Sequence, residues 1–216
     1  RFFTRWHEIA HLLILEKELA APVVRRSAHD PVERLMDEIA GRIGFYEPIF
    51  GPIFAREHKG GPLQFKTVEA IRAAYCDTAS FQATLFACHR RMVAPVVYLE
   101  AEVKYKADEE RRLRSKQRTF FQDEPPVAKL RVSLAVPNSA AIERDFRIVP
   151  NMRVPEGSVI YKLHSDASAD QASGCENLEA WEFSDGGSLP ECKVWVDARK
   201  AGDRVIAIVQ PIEGEP

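Results

Sequence analysis

Long apolar segments and an excess of charge of either sign are both missing from the 216-residue sequence. The most apolar stretch, Ile9–Leu15, is far too short to cross a bilayer. The 30 Lys and Arg residues nearly balance the 32 Asp and Glu residues, for a net charge of -2, so no overall field draws the chain to nucleic acid or to a membrane. We therefore expect a soluble, unexported protein of the cytoplasm with no membrane partner.

Paired cysteines with the spacing of a metal or redox motif are missing as well. The sequence has four scattered cysteines, Cys76, Cys88, Cys175 and Cys192. None of them has C-x-x-C spacing, which argues against a thiolate zinc site and against a redox motif. We expect reduced thiols in a cytoplasm. A disulfide between Cys175 and Cys192 is the alternative, although nothing else indicates secretion.

Hydrophobic periodicity predicts an α+β chain in three regions. Residues 1–60 and 61–122 read as helical, the second of them ending in a basic linker, and residues 123–216 read as strand-rich. Within the first region, apolar residues recur at helical spacing from Phe2 to Ile14, and they predict a helix that is buried nearly all round.

A second helix is predicted from Asp30 to Gly44. Asp30 is a favourable N-cap residue, and Pro31 suits the first helical position. Proline and glycine residues at Pro48, Gly51 and Pro52 then predict a break in the chain.

Residues 61–122 predict two short helices, 65–75 and 80–93, joined by a tight turn. One interpretation is a helix-turn-helix with basic contacts from Arg72, His89, Arg90 and Arg91. The weak signature favours a plain helical hairpin. Residues 104–118 carry seven basic and three acidic side chains, a net of +4. We expect this segment to be a solvated helix or linker; the alternative is that, with the rest of residues 63–118, it makes a weak nucleic-acid contact.

Alternation of apolar and polar residues predicts short strands after residue 127, with turns between them. The alternating positions are Leu130, Val132, Leu134 and Val136; Val159, Tyr161 and Leu163; Val194, Trp195 and Val196; and Val205, Ala207 and Val209. One short helix is expected near Asn138 to Arg144. No internal repeat is apparent.

The motif His7-Glu8-Ile9-Ala10-His11 carries the strongest chemical signal. Residues four apart lie on one face of a helix, so His7 and His11 can present two imidazole nitrogens to one metal ion. Glu8 lies too far round the helix to be a natural third ligand, and it is well placed to take a proton from the attacking water.

A catalytic zinc needs a third protein ligand. The position where a metzincin has its third histidine is Lys17, which excludes that arrangement. Glu33 and Asp37 stand four apart on the second helix, so Glu33 can bind the metal while Asp37 accepts the spare N–H of a ligand histidine.

Each of these residues has a plainer interpretation. Glu33 occupies the third helical position and could close a capping box with Asp30. Asp37 could be an ordinary exposed residue, and the two histidines could share their spacing by chance. A further side chain could stabilise the transition state, and the sequence does not indicate which one. The candidates are Tyr46 and the remaining histidines, His29, His58, His89 and His164.

The segments Arg1–Leu13 and Glu33–Gly41 resemble the ImmA/IrrE metallopeptidases. That family leads into H-E-x-x-H with an R-F-T-like segment and continues with a helix of the pattern E-x-x-A-(N/D). Residues 43–46 depart from the L-L-M-P that usually follows. The resemblance covers roughly the first fifty residues.

The resemblance implies a zincin-like catalytic region of the gluzincin type, an HTH-like segment and a GAF-like sensor domain. It also implies a cytoplasmic zinc endopeptidase that cleaves a helix-turn-helix (XRE-type) repressor and so induces stress-response or mobile-element genes. Zincin folds place strands before the H-E-x-x-H helix, whereas Arg1 opens that helix here. We therefore expect the chain to lack an N-terminal portion.

Three functional hypotheses follow. In the first, zinc (Zn2+, with Mn2+ as a substitute) is held by His7, His11 and Glu33, and Glu8 passes the water proton to the leaving amine. In the second, residues 63–118 make the chain a DNA- or protein-binding regulator whose metal site is structural or vestigial. In the third, the C-terminal domain is a ligand sensor that controls the peptidase.

Overall fold

The computed structural model describes residues 2–18, 30–106, 108–111 and 126–212, with only the backbone of residues 15–18. The predicted α+β class is confirmed, since the chain combines helices with one five-stranded antiparallel sheet. The chain forms two compact units, Arg1–Arg91 and Met92–Pro216.

Five helices make up the described part of the first unit. They are α1 (Phe2–Glu18), α2 (Pro31–Gly44), α3 (Glu47–His58), α4 (Phe65–Tyr75) and α5 (Phe81–Arg91). The predicted start of α2 is confirmed, because the Asp30 side chain accepts a hydrogen bond from the backbone N–H of Val32. This contact satisfies one of the free N–H groups at the start of the helix.

An aromatic cluster holds α2, α3 and α4 together. The ring of Phe45 lies 5.2 Å from that of Phe50 and 5.6 Å from that of Tyr75. The Tyr75 hydroxyl donates a 2.7 Å hydrogen bond to the carbonyl of Gly44, the last residue of α2. These contacts fix the C-terminal end of α2 and therefore the position of the carboxylates along it.

The predicted break at residues 48–52 is wrong, because α3 runs through it. Pro48 lies in the first turn, where its missing N–H is not needed, and Pro52 lies inside the helix. An interior proline costs about 3 kcal/mol. Full burial of Phe50 and Phe54 contributes about 3–6 kcal/mol together, which offsets that cost.

The prediction that α1 is buried nearly all round is also wrong for its described side chains. Ala10 is fully buried, whereas Leu12 is 65% and Leu13 is 51% exposed. The apolar residues surround α1 on several sides, and α2 covers the side that carries Trp6, His7 and Ala10. The exposed leucines lie on a different side of the helix.

The second unit is built on the antiparallel sheet, with strand order β2-β1-β5-β4-β3. Its elements are β1 (Val97–Lys104), β2 (Lys129–Pro137), α6 (Ser139–Glu143), α7 (Val159–Ser165), β3 (Gln171–Asn177), β4 (Lys193–Ala201) and β5 (Arg204–Pro211), with a 3-10 turn at Leu178–Ala180. One face of the sheet packs on α6, α7 and Trp181, which is fully buried.

Strands β2, β4 and β5 and helix α6 confirm the predicted pattern, and two other assignments are wrong. Residues 97–104, predicted within the helical region, form the strand β1 that pairs with β2 and β5. Val159–Ser165, predicted as a strand, is helical, because Ser158 caps its N-terminus and the buried Ile160 and Leu163 are three residues apart. Most of the predicted basic linker, with the 122/123 boundary, lies outside the described residues.

All four cysteines are free thiols. Cys88 is fully buried, and burial raises its pKa to about 12. A thiol in that environment is a small apolar packing group at neutral pH, because the reactive thiolate is disfavoured.

Candidate metal centre

Helices α1 and α2 pack side by side in opposite directions. Residues near the start of α1 meet residues near the end of α2: the Trp6 indole lies against Gly44, where an added Cβ would stand 2.7 Å from a ring carbon. Ala10 on α1 and Ala40 on α2 are fully buried. Small residues therefore bring the two helices together along a seam.

This seam brings the predicted ligand atoms together. The Nε2 atoms of His7 and His11 are 3.1 Å apart. The Oε2 atom of Glu33 lies 3.3 Å from Nε2 of His7 and 3.5 Å from Nε2 of His11. Two imidazole nitrogens and one carboxylate oxygen therefore converge on a single point, and all three are atoms that bind zinc in proteins.

The triangle of ligand atoms has the dimensions of one face of a tetrahedral zinc site. Zinc binds nitrogen and carboxylate oxygen at about 2.0–2.1 Å, so neighbouring ligand atoms of a regular tetrahedron stand roughly 3.3–3.4 Å apart. The three observed separations, 3.1, 3.3 and 3.5 Å, bracket that value. Two histidines and one carboxylate also suit zinc chemically, and a fourth position is left for solvent.

Asp37 determines which nitrogen of His7 faces the metal position. Its Oδ1 atom lies 2.8 Å from Nδ1 of His7. A carboxylate only accepts hydrogen bonds, so Nδ1 of His7 donates in this contact and Nε2 is the nitrogen that faces the other ligand atoms. The structure thus places the Asp37 carboxylate on the His7 ring, where the sequence predicted it, and its role toward a metal ligand stays a prediction.

Glu8 and Glu33 differ in exposure and direction. The Glu8 side chain is exposed on α1 beside His7. The Glu33 side chain is 22% exposed and reaches α1 through Oε2. The Asp30 side chain caps α2 through the N–H of Val32, and Oε2 of Glu33 lies against the two histidines, a position that suits the predicted ligand role.

No other described histidine belongs to this group. His58 stacks on Phe54 at 4.9 Å, and burial lowers its pKa, partly opposed by a backbone hydrogen bond with Gly61. His89 is buried in α5, and His164 lies in the second unit. His29 falls outside the described residues. Over the described ranges, His7, His11 and Glu33 form the one group of three His, Cys, Asp or Glu side chains able to hold a metal.

Tyr46 is largely exposed, and two basic residues of the helical hairpin, His89 and Arg91, contribute to packing. Tyr46 precedes α3 and its carbonyl accepts the backbone N–H of Phe50, while its side chain is 56% exposed. Arg91 pairs with Glu47, and its guanidinium lies 5.2 Å over the Phe54 ring. Since Arg91 and the buried His89 face inward, two of the four predicted nucleic-acid contacts are occupied by internal packing.

A groove of about 360 Å³ lies along the same helical seam. Its wall is largely apolar and includes Phe3, Asp37, Gly41, Phe45, Phe86 and Arg90. Gly41, Phe86 and the groove role of Arg90 were not predicted from the sequence. Spacing along the helices could have indicated Phe3 and Gly41 as groove residues. Phe3 stands four residues before His7 and Gly41 four residues after Asp37, and residues four apart share a helix face.

No helix among the described residues combines the length and apolar character that a membrane crossing requires. No family model matches the chain, and no curated protein matches it. The resemblance to the ImmA/IrrE metallopeptidases therefore stays a prediction, resting on the two motifs whose side chains meet in this candidate metal centre.

Proposed function

We propose that the chain is a zinc-dependent endopeptidase. One observation carries the proposal: Nε2 of His7, Nε2 of His11 and Oε2 of Glu33 lie within 3.1–3.5 Å of one another. Side chains from two helices converge with the dimensions and the ligand chemistry of a catalytic zinc site. Mn2+ is a substitute metal for the same ligands.

Bound zinc supplies a Lewis acid that lowers the pKa of water and polarises a carbonyl oxygen. The chain's own residues provide metal binding, orientation of one ligand and proton transfer. His7, His11 and Glu33 hold the ion, and Asp37 fixes the His7 ring. Glu8, exposed beside the imidazoles, accepts the proton of the attacking water and passes it to the leaving amine.

The finer assignments belong to the same proposal. The first assignment is a zincin-like region of the gluzincin type in the ImmA/IrrE family for residues 1–60, followed by an HTH-like segment with a basic linker for residues 61–122. The second assignment is a GAF-like sensor domain for residues 123–216. The antiparallel sheet with helices inserted between β2 and β3 supports the second assignment. The substrate is an XRE-type repressor in the cytoplasm, whose cleavage induces a stress-response or mobile-element regulon.

Zinc content and cleavage, measured on matched variants, test the proposal. Glu33→Ala should lose bound zinc in elemental analysis after dialysis, while Glu38→Ala should retain it, because Glu38 is an exposed residue of the same helix that pairs with Arg42. Glu8→Gln should keep zinc and lose cleavage of a helix-turn-helix repressor. Cleavage by Glu8→Gln at the parent rate would contradict the mechanism.

The regulator hypothesis has its own test. Binding of residues 63–118 to DNA should weaken steeply with added salt and should persist after chelation of zinc. The inward positions of His89 and Arg91 weigh against this alternative, because they remove two of the predicted basic side chains from the surface that would contact phosphates.

A further inference from the structure

The groove beside the metal centre, lined by Phe3, Asp37, Gly41, Phe45, Phe86 and Arg90, lies one helical turn from the ligands. Phe3 precedes His7 by four residues and Gly41 follows Asp37 by four, a rise of roughly 6 Å along each helix. An extended peptide advances about 3.3–3.6 Å per residue. A peptide bound at the metal therefore reaches the groove one or two residues from the cleaved bond.

The groove is suited to an apolar side chain. Phenylalanine rings from α1 and α5, the ring of Phe45 and Ala83 line it, and its wall is largely apolar. Its volume of about 360 Å³ is near the lower end of the 300–1,000 Å³ typical of ligand pockets. That space accommodates one or two side chains of a peptide.

Besides Asp37, whose carboxylate lies 2.8 Å from Nδ1 of His7, the groove is lined by the charged side chain of Arg90. Two of its guanidinium nitrogens lie 2.9 Å from the position that a Cβ on Gly41 would take, so the cation rests against the backbone of α2. Burial of the guanidinium and the nearby Arg42 both lower the pKa of Arg90, while Glu38 opposes the change. Arg42 itself pairs with Glu38 at 2.8 Å. Arg90 is nevertheless exposed to solvent as a residue, so its guanidinium can pair with an anion that enters the groove.

We propose that the groove selects a substrate segment in which a bulky apolar residue neighbours an aspartate or glutamate. The apolar side chain enters between the phenylalanine rings, and the adjacent carboxylate pairs with Arg90. This specificity rests on the proposed peptidase function, because it assigns the groove to residues next to the cleaved bond.

Binding tests the groove without requiring cleavage. The probes are three fluorescein-labelled decapeptides that differ only at their centre, Leu-Glu, Leu-Lys or Gly-Glu, titrated by anisotropy into the zinc-loaded Glu8→Gln protein. The Leu-Glu peptide should bind about tenfold more tightly than either of the others, the size of one charge-assisted contact or one buried leucine. Equal binding of all three, or no binding, would overturn the groove assignment.

Charge variants locate the selectivity. Arg90→Gln should bring the Leu-Glu and Leu-Lys peptides to within about threefold of each other, and Arg90→Glu should favour Leu-Lys. Arg42→Gln is the matched control, since it removes a neighbouring cation that does not line the groove, and it should preserve the parent ratio. An unchanged ratio in Arg90→Gln would contradict the role of Arg90.

Digestion of a random peptide library by the parent protein separates this inference from the proposed function. Cleavage enriched at apolar–acidic pairs supports both. Cleavage without that enrichment supports the peptidase and overturns the groove assignment. If a zinc-loaded protein cleaves no peptide, the proposed function fails, and the binding ratios alone decide whether the groove selects the Leu-Glu peptide.

Discussion

Removing the Asp37 carboxylate should weaken zinc binding about tenfold while leaving the fold intact. Its Oδ1 atom lies 2.8 Å from Nδ1 of His7 and holds the ring with Nε2 toward the metal position. Loss of such a partner typically lowers metal affinity 10–100-fold. The Asp37 side chain is 57% exposed, so solvent screens its charge, and we expect the lower end of that range.

An asparagine variant separates charge from hydrogen bonding. Tenfold in affinity corresponds to about 1.4 kcal/mol. In Asp37→Asn the amide oxygen still accepts the N–H of His7, and a neutral acceptor gives about half the energy of a charged one. Asp37→Asn should therefore weaken zinc binding about threefold, and Asp37→Ala about tenfold.

Competition with a chromophoric zinc chelator at pH 7 gives these affinities, and far-ultraviolet circular dichroism checks the fold. Glu38→Ala is the control, because it removes the same charge from an exposed neighbour on α2. The reasoning is refuted if Asp37→Ala binds zinc as tightly as the parent. It is also refuted if Glu38→Ala loses as much affinity, since the effect would then be general electrostatics.

Three further predictions concern stability. Burial lowers the pKa of His58 from 6.5, so its contribution to the free energy of unfolding is complete above pH 6.5 and is lost as the pH falls through the lowered pKa. Urea unfolding at pH 7.5 and at pH 5.5 should therefore show a smaller loss of stability with acid in His58→Phe than in the parent. Gly44→Ala would place a Cβ 2.7 Å from the Trp6 ring and should destabilise the chain by about 1–3 kcal/mol, whereas Gly61→Ala, which meets no atom within 4 Å, should be nearly neutral. Asn138→Ala breaks four hydrogen bonds of a side chain that is 4% exposed and should lower the free energy of unfolding by about 3 kcal/mol; a loss below about 0.5 kcal/mol would contradict this accounting.

Much of the candidate metal centre was accessible from the sequence because its parts are local. The spacing of His7 and His11 determines a shared helix face, and Asp30 and Pro31 indicate where α2 begins. Those two signals place Glu33 and Asp37 on one face of the second helix. The alignment of the two helices depends on tertiary packing, which the spacing within either helix does not contain.

Other features were mispredicted because local patterns competed with tertiary packing. The segment Val97–Lys104 includes the helix formers Leu, Glu, Ala and Lys, yet it lies in the sheet between β2 and β5. At Val159–Ser165 a three-residue alternation was too short to distinguish a strand from a helix. The groove is lined by Phe3, Gly41 and Phe86, which belong to three different helices. The pattern within one helix therefore could not predict it.

X-ray absorption at the zinc edge of the zinc-loaded protein tests the metal centre most directly. We expect four light ligands at about 2.0–2.1 Å, with the scattering signature of two imidazoles. In His7→Ala that signature should fall to one imidazole or the zinc should be lost, while His164→Ala, changed in the second unit, should give the parent spectrum. A parent spectrum without two imidazoles, or one unchanged by His7→Ala, would contradict the proposed zinc site.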